Sequence, residues 1–178
     1  MDKKSVLILV CMFFVVCYAH SQSADWAKIA SPSEIVGDWQ GSVGCPMGGM
    51  GAENVFVKVT IALHVAPNSE EVTVDMRLDM EELLEYLLTT DDAKQSGITT
   101  KDALWEALSS DYDESSGYTT GKYYVRGVMT DTLESFSSDG SQLLLHKAHK
   151  KIKLVFDTPF SLTDGSNDGI SEIEMDKQ

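Results

Sequence analysis

Strict alternation of apolar and polar residues in two neighbouring segments is the feature that most limits the fold of this chain. Apolar side chains occupy every second position in residues 55–65, and residues 72–80 repeat the pattern after the turn-forming stretch "PNSEE". Successive side chains of a strand point to opposite faces of a sheet, so each run predicts a strand with one buried face. Together the two runs predict a β-hairpin.

The same period extends to other parts of the chain. We predict further strands in "EIVGDWQGSV", "GKYYVRGVMT", "LESF", "QLLLH", "KKIKLVF" and "ISEIEMDK", and Asp139-Gly140 predicts a hairpin turn between the third and fourth of these. About eight strands joined mostly by short turns favour a mainly β fold. We expect an antiparallel up-and-down β-barrel or strongly curved sheet, because closure removes exposed edges. A two-sheet sandwich is the alternative.

The period changes to that of a helix after the third strand. Met80, Leu83, Leu84, Leu87 and Leu88 have the spacing of an amphipathic helix that Asp79 could cap, and a second helix is expected from Thr99 or Thr100 through "KDALWEALSS". We read "TTDDAKQSGI" between them as a loop. The chain therefore predicts a two-helix insert at about 80–110, between strands 3 and 4.

The N-terminal residues have the order of a secretory signal peptide. Lys3 and Lys4 precede an apolar run over residues 6–18, and small residues follow it, so we expect cleavage after Ser21. The run is shorter than the about 20 residues of a spanning helix. We therefore expect a secreted or periplasmic protein without a membrane span, with a retained anchor as the alternative. Residues 22–33 would be a short lead-in, and residues 34–178 a single barrel domain.

The net charge limits which partners the protein can bind, and the cysteine content limits which disulfides it can form. The formal net charge of −14 at pH 7 repels nucleic acid and anionic membranes, so we expect no nucleic-acid partner, and no protein partner is identified. Cys11 and Cys17 would leave with the signal peptide. Cys45 would then be the single cysteine, which excludes an intrachain disulfide.

Gly37-Asp38-Trp39 opens the first predicted strand and resembles the Gly-x-Trp motif of the lipocalin-like (calycin) β-barrels. In that family the tryptophan closes the narrow end of the barrel and the glycine lets the backbone approach it. A basic residue from the last strands lies over the tryptophan, and Lys177 is the late basic group of this chain. The resemblance implies a binding barrel for a small apolar molecule.

We therefore expect a non-catalytic binding protein that buries a small apolar ligand in its barrel. Gly-x-Ser-x-Gly and phosphate-loop motifs are absent from the sequence, so we predict neither catalytic residues nor a cofactor. A structural or protein-interaction domain of the cell envelope with a filled barrel is the alternative. The side chains expected to line the cavity point inward in the predicted strands: Trp39, Val57, Val59, Ile61, Met76, Leu78, Tyr123 and Val125.

Two further segments carry candidate chemistry. Cys45, Met47 and Met50 supply the soft sulfur ligands that Cu(I) prefers, so a copper-binding envelope protein is a second alternative. A flexible apolar lid over residues 44–51 explains the same residues and is favoured. The basic segment "HKAHKKIK" could hold the anionic head group of a ligand or a partner, but a lysine-protected edge strand is the favoured interpretation.

Overall fold

The computed structural model describes residues 25–47, 52–109, 118–121, 123–138, 141–160 and 169–178. The predicted signal peptide, Met50 and the Asp139-Gly140 turn lie outside these residues.

Nine antiparallel strands form one sheet that curls into a half-barrel, which confirms the predicted mainly β fold of about eight strands with a helical insert. The order across the sheet is β1-β7-β8-β9-β2-β3-β4-β6-β5. The strands are β1 Trp26–Lys28, β2 Gly37–Met47, β3 Ala52–Val65, β4 Glu71–Asp79, β5 Tyr118–Gly121, β6 Tyr124–Thr132, β7 Gln142–His146, β8 Lys151–Phe160 and β9 Ile170–Lys177.

In the described part of the chain, five short helical segments lie between the strands. A 3-10 helix precedes β2, three helices form the insert between β4 and β5, and one helix joins β6 to β7. Met80, Leu83 and Leu84 are buried, as the stripe predicts, and Asp79 accepts a hydrogen bond from the backbone N–H of Glu81 at 3.2 Å. The bounds are Pro32–Ile35 for the 3-10 helix, Glu81–Leu87 for α1, Asp91–Gln95 for α2, Lys101–Ser109 for α3 and Leu133–Ser138 for α4.

Strand register places the alternating apolar residues on one face of the sheet, which we call the inner face. Trp39 pairs with Leu63 across β2 and β3, and Leu78 pairs with Val125 across β4 and β6. These side chains join the buried residues of α1 and α3 in one hydrophobic cluster. Burial of that cluster stabilises the fold by removing apolar surface from water.

The last strand lies in the middle of the sheet. β9 pairs with β8 on one side and with β2 on the other, where Trp39 faces Lys177 in the register. The backbone N–H of Gln178 also donates to the carbonyl of Asp38 at 2.9 Å. Ile173 and Met175 point inward and are buried, which confirms the prediction for this strand.

Several local predictions are wrong. "LESF" is helix α4 instead of a strand, because the Thr132 hydroxyl accepts a hydrogen bond from the N–H of Ser135 and so caps a helical turn. The segment read as a loop between the helices contains α2, which Thr90 caps in the same way. Residues 44–47 extend β2, so they are not part of a loop. β1 lies within the predicted lead-in of residues 22–33, and the bounds of that lead-in stay a prediction.

None of the helices in the described part of the chain combines the length and the hydropathy that a membrane crossing requires.

Candidate binding site

The 3-10 helix and the start of β2 fix the position of Trp39. The Glu34 carboxylate accepts hydrogen bonds from the backbone N–H groups of Ala30 and Ser31, at 2.9 and 3.2 Å, and so ties down the start of the helix. The carbonyl of Ile35, in the same helix, accepts a 2.7 Å hydrogen bond from the Trp39 indole N–H. The Trp39 side chain is therefore buried with its one polar atom satisfied.

Lys177 covers the indole ring of Trp39. Its Nζ lies 5.3 Å from the ring centre, within the range of a cation–π contact, and donates to the carbonyl of Val36 at 3.0 Å. The lysine passes over Gly37, whose φ is +120° and where a Cβ atom would lie 3.0 Å from Lys177 Cε. Glycine at this position therefore permits both the backbone conformation and the close approach.

A cavity of about 410 Å³ opens beside this pair. The turn between β7 and β8 brings two lysines to its edge, and Leu145 adds apolar surface next to the indole. The lining thus combines three ammonium groups with one carboxylate, that of Glu34. The residues that border the cavity are Glu34, Trp39, Leu145, Lys147, Lys150 and Lys177.

The basic segment does not form the lysine-protected edge strand that we favoured from the sequence. β8 lies between β7 and β9, so it is not an edge strand. Lys153 forms ion pairs with Glu172 at 2.9 Å and Glu174 at 3.5 Å, and Lys151 pairs with Asp176 at 3.3 Å. These two lysines bridge β8 to the acidic outer side of β9, whereas the lysines of the preceding turn reach the cavity.

Eight side chains were predicted to line a cavity. Among them, Trp39 borders the cavity beside Lys177. Of the other seven, five belong to the buried hydrophobic cluster and two pack against it. Tyr123 lies between β5 and β6 with φ +58°, and its hydroxyl donates to Asp102 at 2.8 Å. The buried members besides Trp39 are Val57, Val59, Ile61, Leu78 and Val125, and Met76 and Tyr123 are partly buried.

The proposed copper ligands are only partly described. Cys45 and Met47 are buried on the inner face near the end of β2, with exposures of 0% and 3%, and Met50 lies outside the described residues. Within the described ranges, no three His, Cys, Asp or Glu side chains are close enough to hold a metal ion. The copper hypothesis stays a prediction.

Sequence reasoning missed two residues of the cavity. Glu34 follows Ser31 by three positions, which is a capping-box signal that could have located the 3-10 helix. Leu145 carried no comparable signal, because "QLLLH" contains three consecutive leucines and its pattern does not say which of them faces inward.

No family model, no curated protein and no solved structure matches this chain.

Proposed function

We propose that this protein is an exported, non-catalytic binding protein of lipocalin-like architecture that holds a small, mainly apolar ligand. The observation that carries the proposal is the 410 Å³ cavity beside Trp39, because its size falls within the range of small-molecule sites and it places charged side chains next to the apolar surface of Trp39 and Leu145. Trp39 and Leu145 would contact the apolar part of the ligand. Its burial would contribute about 25 cal/mol for each Å² removed from water.

The charges at the cavity favour a ligand with an anionic end. Lys147 and Lys150 have no ion-pair partner among the described residues, and both are exposed. The Glu34 carboxylate already accepts two backbone hydrogen bonds. An anionic group at the lysines would therefore gain favourable contacts in a chain whose net charge of −14 otherwise repels anions.

The lipocalin-like assignment rests on the order of features along the chain. A 3-10 helix leads into a Gly-x-Trp strand, and a lysine from the last described strand covers the tryptophan. This is the arrangement that the resemblance implies for Trp39 and Lys177. The curled antiparallel sheet is compatible with it.

Binding of two fluorescent probes to the chain from residue 22 onward tests the proposal. We expect saturable binding of the anionic probe 8-anilinonaphthalene-1-sulfonate, weakened about tenfold in the Lys147→Gln/Lys150→Gln variant because two charge contacts are lost. The neutral probe N-phenyl-1-naphthylamine should be affected much less.

The matched control is Lys28→Gln/Lys58→Gln, which makes the same change in net charge at exposed strand positions. It should bind both probes as the parent does. Equal losses in the two double variants, or the absence of saturable binding to the parent, would contradict the proposed site.

The packed inner face favours a second candidate, a protein-interaction or structural domain with a filled barrel. Val57, Val59 and Ile61 have exposures of 0%, 1% and 1% and pack within one cluster. Inner side chains that only pack against one another serve stability, and a partner would then meet another surface.

A further inference from the structure

The two arginines of the chain lie directly opposite each other on the outer face of the sheet. Arg77 of β4 pairs with Arg126 of β6 in the antiparallel register. Like charges at directly opposed positions are destabilising. Their juxtaposition in a protein with a net charge of −14 therefore concentrates positive charge at one point of an acidic surface.

The two guanidinium groups are held in different ways. Arg126 donates from Nε to both carboxylate oxygens of Asp75, at 2.9 and 3.0 Å, and from a terminal nitrogen to the same carboxylate. This pairing raises the pKa of Arg126 further above its ordinary value. Arg77 instead lies with its central carbon 4.2 Å from the ring centre of Tyr124, and it has no carboxylate partner among the described residues.

Tyr124 is fixed beneath Arg77 by a close backbone approach. A Cβ atom on Gly121 would lie 2.3 Å from Cζ of the Tyr124 ring, so the ring packs directly on the backbone of β5. A ring held on one side by backbone and covered on the other by a guanidinium has little freedom to move. The Arg77 side chain is thereby positioned before any ligand arrives.

A cleft of about 250 Å³ lies between these side chains on the outer face. Asp75, Tyr124 and the two arginines border it, and Gln40 and Thr60 lie across from them on β2 and β3. The Asp79 carboxylate, two residues along β4 from Arg77, accepts a hydrogen bond from the N–H of Glu81 at 3.2 Å, at the start of α1. Asp75 pairs with Arg126, which leaves Arg77 without an ion pair among the described residues.

We propose that this cleft binds a small ligand through an oxyanion group, a carboxylate or a phosphoryl group. Arg77 would supply the paired N–H donors that match the two oxygens of such a group. Arg126, anchored by Asp75, would add a second positive charge, and Gln40 would offer an amide N–H. The site is separate from the cavity beside Trp39 and does not depend on the function proposed for that cavity.

Arginine side-chain NMR tests the proposal directly, since a chain with two arginines gives two Nε–Hε resonances. We would titrate ¹⁵N-labelled chain from residue 22 onward with inorganic phosphate and with benzoate, each at ionic strength held constant with sodium chloride. We expect saturable shifts of both resonances. Arg77→Gln should weaken binding at least about tenfold, because a charge-assisted bidentate contact is lost.

Lys58→Gln is the matched control, since it removes one exposed positive charge from the neighbouring strand. It should bind as the parent does, and the backbone spectrum of each variant checks its fold. Saturation by phosphate alone assigns a phosphoryl ligand, saturation by benzoate alone assigns a carboxylate, and saturation by both assigns a general oxyanion site. Non-saturating shifts with both anions, or unchanged binding by Arg77→Gln, overturn the proposal.

Discussion

The ammonium group of Lys177 lies 5.3 Å from the centre of the indole ring of Trp39 and donates to the carbonyl of Val36 at 3.0 Å. One side chain thus joins β9 to the start of β2 and to the residue that follows the 3-10 helix. Because the three elements meet at a single lysine, its replacement should lower the stability of the whole sheet.

Lys177→Met should lower the free energy of unfolding by about 1 kcal/mol, since it removes the cation–π contact and one hydrogen bond. Urea unfolding followed by circular dichroism measures the change. Lys28→Met, at an exposed position of β1, is the control and should stay within about 0.5 kcal/mol of the parent. Equal effects of the two variants would mean that the contact contributes nothing.

Trp39→Phe should destabilise the protein by about 2 kcal/mol, because the carbonyl of Ile35 loses its donor and the smaller ring leaves space. Trp105→Phe provides the comparison, as that tryptophan is only partly buried against the cluster, and should cost less than about 1 kcal/mol. Thermal unfolding of both variants measures the two losses of stability and shows which is larger. A Trp39 variant as stable as the Trp105 variant would contradict the described hydrogen bond.

A pair of valines separates a filled interior from a hollow one. Val59 is 1% exposed on the inner face, whereas Val128 is 48% exposed. In a filled interior, Val59→Ala should cost about 2 kcal/mol from lost burial and an unfilled space, and Val128→Ala should cost less than about 0.5 kcal/mol. A small loss at Val59 with altered binding of an apolar probe would favour the interior cavity that the sequence predicted.

Lys101 should make the stability of the protein depend on pH in the alkaline range. Its hydrogen bonds to Glu81 and Glu85 raise its pKa above the ordinary lysine value. The stability that it contributes is therefore complete below the unfolded pKa of about 10.4 and is lost as the pH rises towards the folded value. The difference in Tm between the parent and Lys101→Gln should stay constant from neutral pH to about pH 9. At about pH 11 the difference should be smaller.

Lys94→Gln is the control for that series, because Lys94 pairs with Asp91 at 3.5 Å on the surface of one short helix. Its Tm difference from the parent should be close to zero throughout. A Lys101 difference that grew with rising pH would have the wrong sign for the described ion pairs.

The Cys45 thiol should be protected in the native protein, because its residue is 0% exposed. In the chain from residue 22 onward, we expect Ellman's reagent to react at least about a hundredfold more slowly in buffer than in denaturing urea. Fast reaction of the folded protein would place this thiol in an accessible segment, as the lid and copper hypotheses require.

Most of the strands could be predicted because their side chains alternate clearly. The pattern of β3 and β4 is unambiguous, and Ile173 and Met175 identify the inner side of β9. "LESF" could not be read correctly, since four residues fit a strand or a helical turn and the hydrogen bond from Ser135 to Thr132 decides between them. The three residues of β1 are too few to carry a period.

The sites depend on register, which the sequence does not contain. The pairing of Arg77 with Arg126 follows from joining β4 to β6 across the helical insert, and no local pattern sets that alignment. The turn lysines reach Trp39 only because β9 brings the β7 and β8 pair next to β2. The resemblance alone indicated Lys177. The other residues at the edge of the cavity could be identified only from the folded structure.

The central position of β9 also bears on how the molecule is made. β2 acquires its neighbour on that side only when residues 176 and 177 have been synthesised, so the part of the sheet that contains β8 and the part that contains β2 can join only then. Contacts of such long sequence separation slow folding. Until β9 is in place, β2 and β8 each keep one edge without a partner strand, and unpaired strand edges of this kind are sites of aggregation during folding.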